Sequence, residues 1–177
     1  MNETERLMLR PWQDSDIAPF YAMGRDAEVM RYIGPELSIA DAETFAARQK
    51  RLLEKTGSCF WVVERRSDGA FLGFCGIKPG AEGTPIDAQP EIGWRLARHA
   101  WGQGYAREAA SACIASAWHR GVNHIVAITV PANERSWGLM ERLGMRRLPD
   151  GNFDHKAVPV GSPLRRHLTY RIDRSVA

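Results

Sequence analysis

Two glycines, Gly102 and Gly104, are the residues whose spacing most directly suggests chemistry. They flank Gln103 just before a segment in which alanines and other small apolar residues recur at helical spacing. Positions without a Cβ let the backbone turn tightly and lie close to a ligand. The first N–H groups of a helix lack intrahelical partners and carry partial positive charge. This turn therefore predicts an anion site, in which backbone amides from about Gly102 to Arg107 grip a diphosphate.

Other phosphate-binding loops do not match these residues. A P-loop requires Gly-Lys followed by Ser or Thr, and that triplet does not occur in the sequence. A dinucleotide-binding fingerprint requires a third glycine where Arg107 stands. Taken alone, the two glycines leave open a plain strand–helix connection in which they serve only tight packing.

The elements that must position these glycines are predicted from the residues on either side. Residues 91–96 alternate apolar and polar side chains, as a half-buried strand does. The helix after Gly104 is predicted to end at Gly121, behind a basic last turn. Residues 124–130 are almost purely apolar and β-branched, which predicts a strand buried on both faces. Asn133 then caps a predicted helix that extends to residue 143.

Further strands and helices are predicted around this unit. The strands are 6–10, 60–64, 70–77, 145–148 and 166–172, and the helices are 14–23, 29–33 and 38–55. Two segments rich in glycine and proline, 80–90 and 149–163, are predicted loops. This order is not a regular βαβ alternation. We expect an α/β (α+β) fold with a mixed sheet, helices on both faces and a single domain over residues 1–177.

Composition and charge argue against several classes of protein. A formal net charge of +3 with scattered basic residues gives no basis for a nucleic-acid partner. Cys59, Cys75 and Cys113 are odd in number and widely spaced, which indicates buried thiols in a reducing cytosol. The sequence shows no signal-peptide core and no apolar run of membrane-spanning length, so we expect a cytoplasmic protein without a membrane partner. Assembly, including a homodimer, is left open.

The turn and the segment PANERSWGLMERLGMR at residues 131–146 closely resemble the GNAT superfamily of acyl-CoA-dependent N-acetyltransferases, in the branch typified by RimJ and RimL. In that family the pyrophosphate motif reads Gln/Arg-x-x-Gly-x-Gly/Ala. It corresponds here to Trp101, Gly102, Gln103, Gly104, Tyr105 and Ala106. Trp101 departs from the usual Gln or Arg, which leaves the amide cradle intact because the backbone amides carry the binding.

The resemblance implies a GNAT-like fold and acetyl-CoA as cosubstrate. The sheet would be mixed and mostly antiparallel, with about six to seven strands. Strand 91–96 would splay from strand 124–130, and the acyl-CoA arm would lie in the V between them. Backbone amides around Trp94, Arg95 and Leu96 would clamp the pantetheine arm and polarise the thioester carbonyl.

Acetyl transfer to an amine needs a neutral nucleophile, whereas an alkyl ammonium of pKa near 10 is only about 0.1% neutral at pH 7. The resemblance implies Glu91 as the base. The alternative is a solvated strand-end charge or an ion-pair partner for a nearby arginine. Asn133 would contact the cofactor arm, and Ser136 would reach the leaving thiol. Many members carry a tyrosine where this chain has Met140, so protonation of the thiolate would depend on Ser136 or on water.

Histidines offer further candidates. His155 and His167 lie near the two ends of the segment FDHKAVPVGSPLRRHLTYR, residues 153–171. They would bind substrate or act as bases, against the alternative of surface or packing roles. His119 and His124 are separated by a predicted helix–strand break, so no metal site is expected.

The leading hypothesis is an enzyme that moves an acetyl group from acetyl-CoA to a primary amine by direct attack in a ternary complex. The acceptor is a protein N-terminus, an amino acid, a polyamine or an antibiotic. One alternative is a non-catalytic acyl-CoA-binding sensor or regulatory domain. A nucleotide- or nucleic-acid-binding domain is a third hypothesis, against which the modest charge argues.

Overall fold

The computed structural model describes residues 2–175 and is built around one eight-stranded sheet of order β1-β2-β3-β4-β5-β6-β8-β7. The strands are β1 Asn2–Glu3, β2 Leu7–Arg10, β3 Phe60–Arg65, β4 Phe71–Pro79, β5 Pro90–Leu96, β6 His124–Thr129, β7 Arg146–Asp154 and β8 Arg166–Asp173. The helices are α1 Ile17–Gly24, α2 Ala27–Met30, α3 Ile39–Thr56, α4 Tyr105–His119 and α5 Glu134–Arg142. The predicted mixed, mostly antiparallel sheet with helices is confirmed. The two-residue β1 is an addition to it.

A single parallel contact joins the two halves of the sheet. All other neighbouring strands are antiparallel, whereas β5 and β6 run parallel and are registered at one pair, Glu91 with Val126. Beyond that pair the two strands diverge, and α4 makes the crossover between them. The divergence opens the predicted V, with backbone groups of both strands facing the gap.

The sheet separates two apolar cores. On one face, α4 packs on a cluster that includes Ile92, Leu96 and Ile125. On the other face, α1 and α3 cover an aromatic cluster that includes Phe20, Phe60 and Phe74. Because side chains alternate along a strand, β5 presents Ile92, Trp94 and Leu96 to the α4 side and Glu91, Gly93 and Arg95 to the side of α1–α3.

Gly93 has no side chain for a packing reason. A Cβ added there would lie 2.9 Å from the ring of Phe60, so a larger residue would require that ring to move. No side chain therefore covers the backbone of β5 at Gly93, where the V begins.

The structure corrects two boundaries. The sequence predicted a strand at 145–148 followed by a loop from Pro149, but β7 continues to Asp154, with an irregularity in its register between Leu148 and Phe153. β7 lies at the edge of the sheet, where a proline without an N–H is tolerated. The predicted helix at 29–33 instead lies at 27–30. Within residues 2–175, no helix has both the length and the apolar character that a bilayer crossing requires.

Candidate active site

The turn before α4 has the geometry of an anion cradle. Gly102 and Gly104 adopt left-handed backbone conformations, with φ of +73° and +82°. The first hydrogen bond of the helix runs from the N–H of Glu108 to the carbonyl of Gly104, at 3.0 Å. Among the described residues, no N–H from 102 to 107 donates to a protein acceptor. Six consecutive amides are therefore free, which fits the diphosphate of an acyl-CoA.

The space above the turn is open. A Cβ added at Gly102 would meet no atom within 4 Å, so that side of the loop is clear for a ligand. Trp101 anchors the loop from below, because its indole N–H donates to the carbonyl of Leu96 at 2.8 Å. The guanidinium of Arg135 stacks over the Trp101 ring, 4.8 Å from its centroid. This places a positive charge beside the turn.

Arg6 ties the turn to the amino-terminal strands. Its Nη1 donates to the carbonyl of Gln103 at 3.0 Å, and its Nε donates to Glu108 at 2.7 Å. The hydroxyl of Thr4 also donates to Glu108, at 2.6 Å. Partial burial opposes ionisation of Glu108, but the hydrogen bonds from Thr4 and Arg6 hold its pKa below the usual value. The negative charge nearest the turn is thus compensated by Arg6. Tyr105 is buried beneath the Arg6 guanidinium, which lies 4.6 Å from the centre of its ring.

A cavity of about 210 Å³ lies in the V between β5 and β6. Its lining is drawn from α2 and the residues after it, β5, β6, α5 and β8: Tyr32, Ile33, Glu91, Ile92, Gly93, Trp94, Ile128, Thr129, Val130, Asn133, Ser136, Met140 and His167. Six residues singled out in the sequence meet here, namely Glu91, Trp94, Asn133, Ser136, Met140 and His167. The glycine turn is not part of this cavity and lies at the start of α4.

The backbone of β5 presents alternate amides to the gap. The N–H of Ala97 donates to Leu72 of β4 at 2.8 Å. Since hydrogen bonding alternates along an antiparallel pair, the amide of Arg95 also faces β4, whereas those of Trp94 and Leu96 face β6 across the gap. Of the three amides in the predicted clamp, two are therefore directed into the V.

The side chain of Arg95 lies on the opposite face, toward α1 and α2. Its guanidinium is 5.4 Å from the centre of the Phe74 ring, and Nη1 is 3.5 Å from the sulfur of Met30. Burial lowers the pKa of Arg95 to about 10. Arg95 is therefore part of the aromatic core and does not line the V.

Glu91 is buried and ion-paired. It lies directly across from Lys78 in the β4–β5 register, and the two side chains form a close salt bridge. Only 11% of the Glu91 side chain and 10% of the Lys78 side chain are exposed. The sequence had offered an ion pair with an arginine as the alternative to a catalytic base; the partner is a lysine. The Glu91 carboxylate is thus inside the cavity and shared with an ammonium.

The first turn of α5 brings two polar side chains to the cavity. Asn133 caps the helix, and its side-chain oxygen accepts from the N–H of Ser136 at 3.3 Å. Among the described residues the Ser136 hydroxyl has no hydrogen-bond partner, so it is free to donate into the cavity. Met140 is buried at the cavity wall, where it contributes an apolar surface and no proton.

Several cavity residues were not found from the sequence. Tyr32 and Ile33 had been placed inside a helix, and Lys78 and Thr129 carried no signal beyond their strand patterns. The sequence had named His155 and His167 as candidates for substrate binding or base catalysis, and of the two only His167 lines this cavity. A correct β4–β5 register would have paired Lys78 with Glu91, but the connection over 80–89 does not define that register.

The chain is similar to known acetyltransferases. A sequence model of the acetyltransferase (GNAT) domain matches residues 6–146. The uncharacterized protein YkkB of Bacillus subtilis is 33% identical over 146 residues, which cover 80% of this chain and 83% of YkkB. The uncharacterized N-acetyltransferase YnaD of the same species is 30% identical over 162 residues, 90% of this chain and 88% of YnaD. Among solved structures, RimL, a ribosomal L7/L12 alpha-N-protein acetyltransferase in complex with coenzyme A, shares the fold. Its TM-score is 0.76 at 13% identity, with 96% of this chain and 95% of RimL covered.

Proposed function

The chain belongs to the GNAT family of acetyltransferases, and from that premise we propose that it moves an acetyl group from acetyl-CoA to a primary amine by direct attack in a ternary complex. The fold likeness to RimL supports a RimJ/RimL-like enzyme. The observation that carries the proposal is the run of six free amides from 102 to 107 at the start of α4, beside a V lined by polar groups.

The residues divide into a cofactor side and a reaction cavity. Amides of the turn would hold the diphosphate, and the amides of Trp94 and Leu96 would hold the pantetheine arm and the thioester carbonyl. Asn133, at the start of α5, would contact the same arm. When bound, acetyl-CoA supplies the activated acetyl group as a thioester.

Glu91 and Ser136 are the proposed polar groups of the reaction cavity. The Glu91 carboxylate would attract the ammonium of the acceptor, in competition with Lys78, and hold it in the V. The Ser136 hydroxyl, which is free to donate, would hydrogen-bond the departing thiolate. Met140 supplies no alternative acid at the neighbouring wall. A thiolate is a tolerable leaving group near neutral pH, so one hydroxyl or a water is sufficient.

The ion pair of Glu91 is the one observation that favours a binding domain without catalysis. A carboxylate with one oxygen engaged by Lys78 is less available to an acceptor amine. Membership in a family of enzymes favours catalysis. The two functions differ in whether any amine is acetylated.

The acceptor side of the cavity is formed by α2 and the residues after it, together with β8. Tyr32 and Ile33 line it, and 43% of Ile33 is exposed, which gives the entrance an apolar rim. A protein N-terminus, an amino acid, a polyamine and an antibiotic each present a primary amine that would reach Glu91 through this entrance.

Thiol release from acetyl-CoA in the presence of a panel of amines tests the proposal. The panel contains a short peptide with a free amino terminus, methionine, spermidine and kanamycin. We expect turnover with at least one amine, and a Glu91→Gln variant that binds coenzyme A normally but loses most of that turnover. Coenzyme A binding without turnover on any amine would instead identify a sensor domain.

A further inference from the structure

His167 is held in a defined orientation at the wall of the reaction cavity. It lines the same cavity as Glu91 and is half-buried there. Phe153, opposite His167 in the β7–β8 register, stacks on the imidazole with ring centroids 5.6 Å apart and planes at 19°. The ring of His155 lies 5.3 Å away. These contacts fix the plane of the ring, which distinguishes His167 from a freely rotating surface histidine.

The hydrogen bonding of this imidazole determines which nitrogen can take up a proton. Nδ1 of His167 lies 3.1 Å from the backbone oxygen of Arg165. A carbonyl oxygen only accepts hydrogen bonds, so Nδ1 carries the hydrogen and the lone pair of the neutral ring is on Nε2. Within residues 2–175, Nε2 has no hydrogen-bond partner. A free basic nitrogen is therefore available on a residue of the cavity wall.

The surrounding charges favour the neutral ring. Burial lowers the pKa of His167 below its usual 6.5; the hydrogen bond to the Arg165 carbonyl opposes this, His155 lowers the pKa further, and Glu91 raises it. Of the other charged groups on the elements near β8, Lys78 is paired with Glu91, Asp154 with Arg165 and Arg166, and Arg171 with Asp173. Arg146, Arg147 and Asp150 of β7 form no salt bridge among the described residues. At neutral pH the ring is thus neutral and ready to accept a proton.

Glu91 and His167 differ in what they can do for an incoming ammonium. The Glu91 carboxylate is engaged by Lys78, whereas Nε2 of His167 is unengaged. We propose that Nε2 of His167 is the group that takes the proton from the acceptor ammonium, while the carboxylate of Glu91 holds that ammonium in place. This inference rests on the proposed acetyl transfer, since it names the base of that reaction.

The proton balance of the step is simple. The N–H bond of the ammonium breaks and an Nε2–H bond forms, giving a neutral amine and an imidazolium. The amine nitrogen forms a bond to the thioester carbon, and the C–S bond breaks. The nitrogen then loses a second proton, which leaves a neutral amide, and the departing thiolate takes up that proton to become the thiol. The imidazolium returns its proton to water, so one proton is released for each acetyl group transferred.

The test compares His167→Gln with the unaltered chain over pH 6 to 10, using whichever of the peptide, methionine, spermidine or kanamycin is acetylated. A general base typically contributes about 10²–10⁴-fold. We expect kcat of the variant to fall by about 100-fold or more at pH 7, with the KM for acetyl-CoA unchanged. The deficit should shrink as pH rises past the pKa of the acceptor amine, which is about 8 for a peptide amino terminus and about 10 for an alkyl ammonium, because the amine then loses its proton without help. A loss below about threefold at pH 7, or the same loss at every pH, overturns the proposal.

Neighbouring substitutions shift the titration of His167 in opposite directions. His155→Gln removes a group that lowers the pKa, so the acidic limb of kcat/KM should move to higher pH. Glu91→Gln removes a charge that raises it, so the limb of its residual activity should move to lower pH. NMR titration of the His167 ring in the free protein gives the same pKa values independently of turnover. Shifts of the wrong sign, in either readout, contradict the assignment.

A matched control separates catalysis from folding. His124→Gln alters a histidine whose Nε2 contacts Gln89 at 3.2 Å, outside the cavity, and should leave rates and the pH profile unchanged. If the unaltered chain acetylates an amine and the His167→Gln variant does so equally well, the role of His167 is overturned while the proposed function stands. Failure of the unaltered chain to acetylate any amine would overturn the proposed function and the inference together.

Discussion

Replacing Gly102 by alanine is the most direct test of the amide cradle, because its effects on folding and on binding can be separated. At φ of +73°, an alanine costs about 1–2 kcal/mol of conformational strain. Its methyl group meets no protein atom within 4 Å, so it projects into the space proposed for the diphosphate. One lost hydrogen bond from an amide to a charged oxygen costs about 1.5–3 kcal/mol. We therefore expect the Kd of coenzyme A to rise about 10- to 150-fold.

Gly121 provides a matched control for the strain. It has a φ of +82°, an added Cβ there also meets nothing within 4 Å, and it lies just beyond the other end of α4. Gly121→Ala should lose a similar free energy of unfolding without changing the affinity for coenzyme A. Titration calorimetry gives the Kd values, and urea unfolding gives the stabilities.

The comparison has a clear negative result. If both variants changed the Kd by the same factor, the effect of Gly102→Ala would be a consequence of general destabilisation. If Gly102→Ala bound coenzyme A as tightly as the unaltered chain, the diphosphate would not lie against this turn.

Three further predictions concern charges and thiols. Lys78→Met should lower the free energy of unfolding, measured in urea, by about 3–5 kcal/mol because it leaves the Glu91 carboxylate buried without its ammonium. Lys78→Met combined with Glu91→Gln should recover most of that loss. Equal losses in the single and double variants would mean that the two charges are not energetically coupled. Arg6→Met should weaken coenzyme A binding several-fold by leaving Glu108 uncompensated, with recovery on Glu108→Gln. The pKa of Glu108 is lowered in the folded protein, so the unaltered chain should be more stable than Arg6→Met at pH values above the unfolded-state pKa of Glu108. This stability difference should disappear as the pH falls through the folded-state pKa of Glu108, and a pH-independent difference would refute the prediction. Ellman's reagent should titrate no thiol in the folded protein and three after denaturation. All three cysteines, Cys59, Cys75 and Cys113, are buried, and burial raises the pKa of the Cys59 thiol to about 12.

Local patterns predicted the parts of the molecule that local physics determines. The glycine turn, the helix after it and the Asn133 cap follow from backbone freedom and capping within a few residues, and all three are present. At the start of α3, Ser38 and Asp41 form a capping pair that is equally local, since the two residues are three apart.

Contacts across strands were not predictable in the same way. Glu91 meets Lys78 through a register set by the packing of a whole sheet, and Arg6 reaches Glu108 only after β2 and α4 are in place. His167 enters the cavity because β8 pairs with β6, and the cavity that it joins is lined by residues from five separate parts of the chain. The prediction ended β7 at residue 148 because the segment 149–163 is rich in proline and glycine, although a strand at the edge of the sheet tolerates a proline.

Because β5 and β6 are registered at a single pair, the two halves of the sheet are joined by backbone pairing at one point only. The amides of Trp94 and Leu96 lie along this seam, so in the empty chain they should exchange with deuterium faster than their neighbours. A ligand that spans the gap would connect β5 and β6 along their length. At 100 times its Kd it would add about 2.7 kcal/mol of stability, so that resistance to unfolding would follow the supply of cosubstrate.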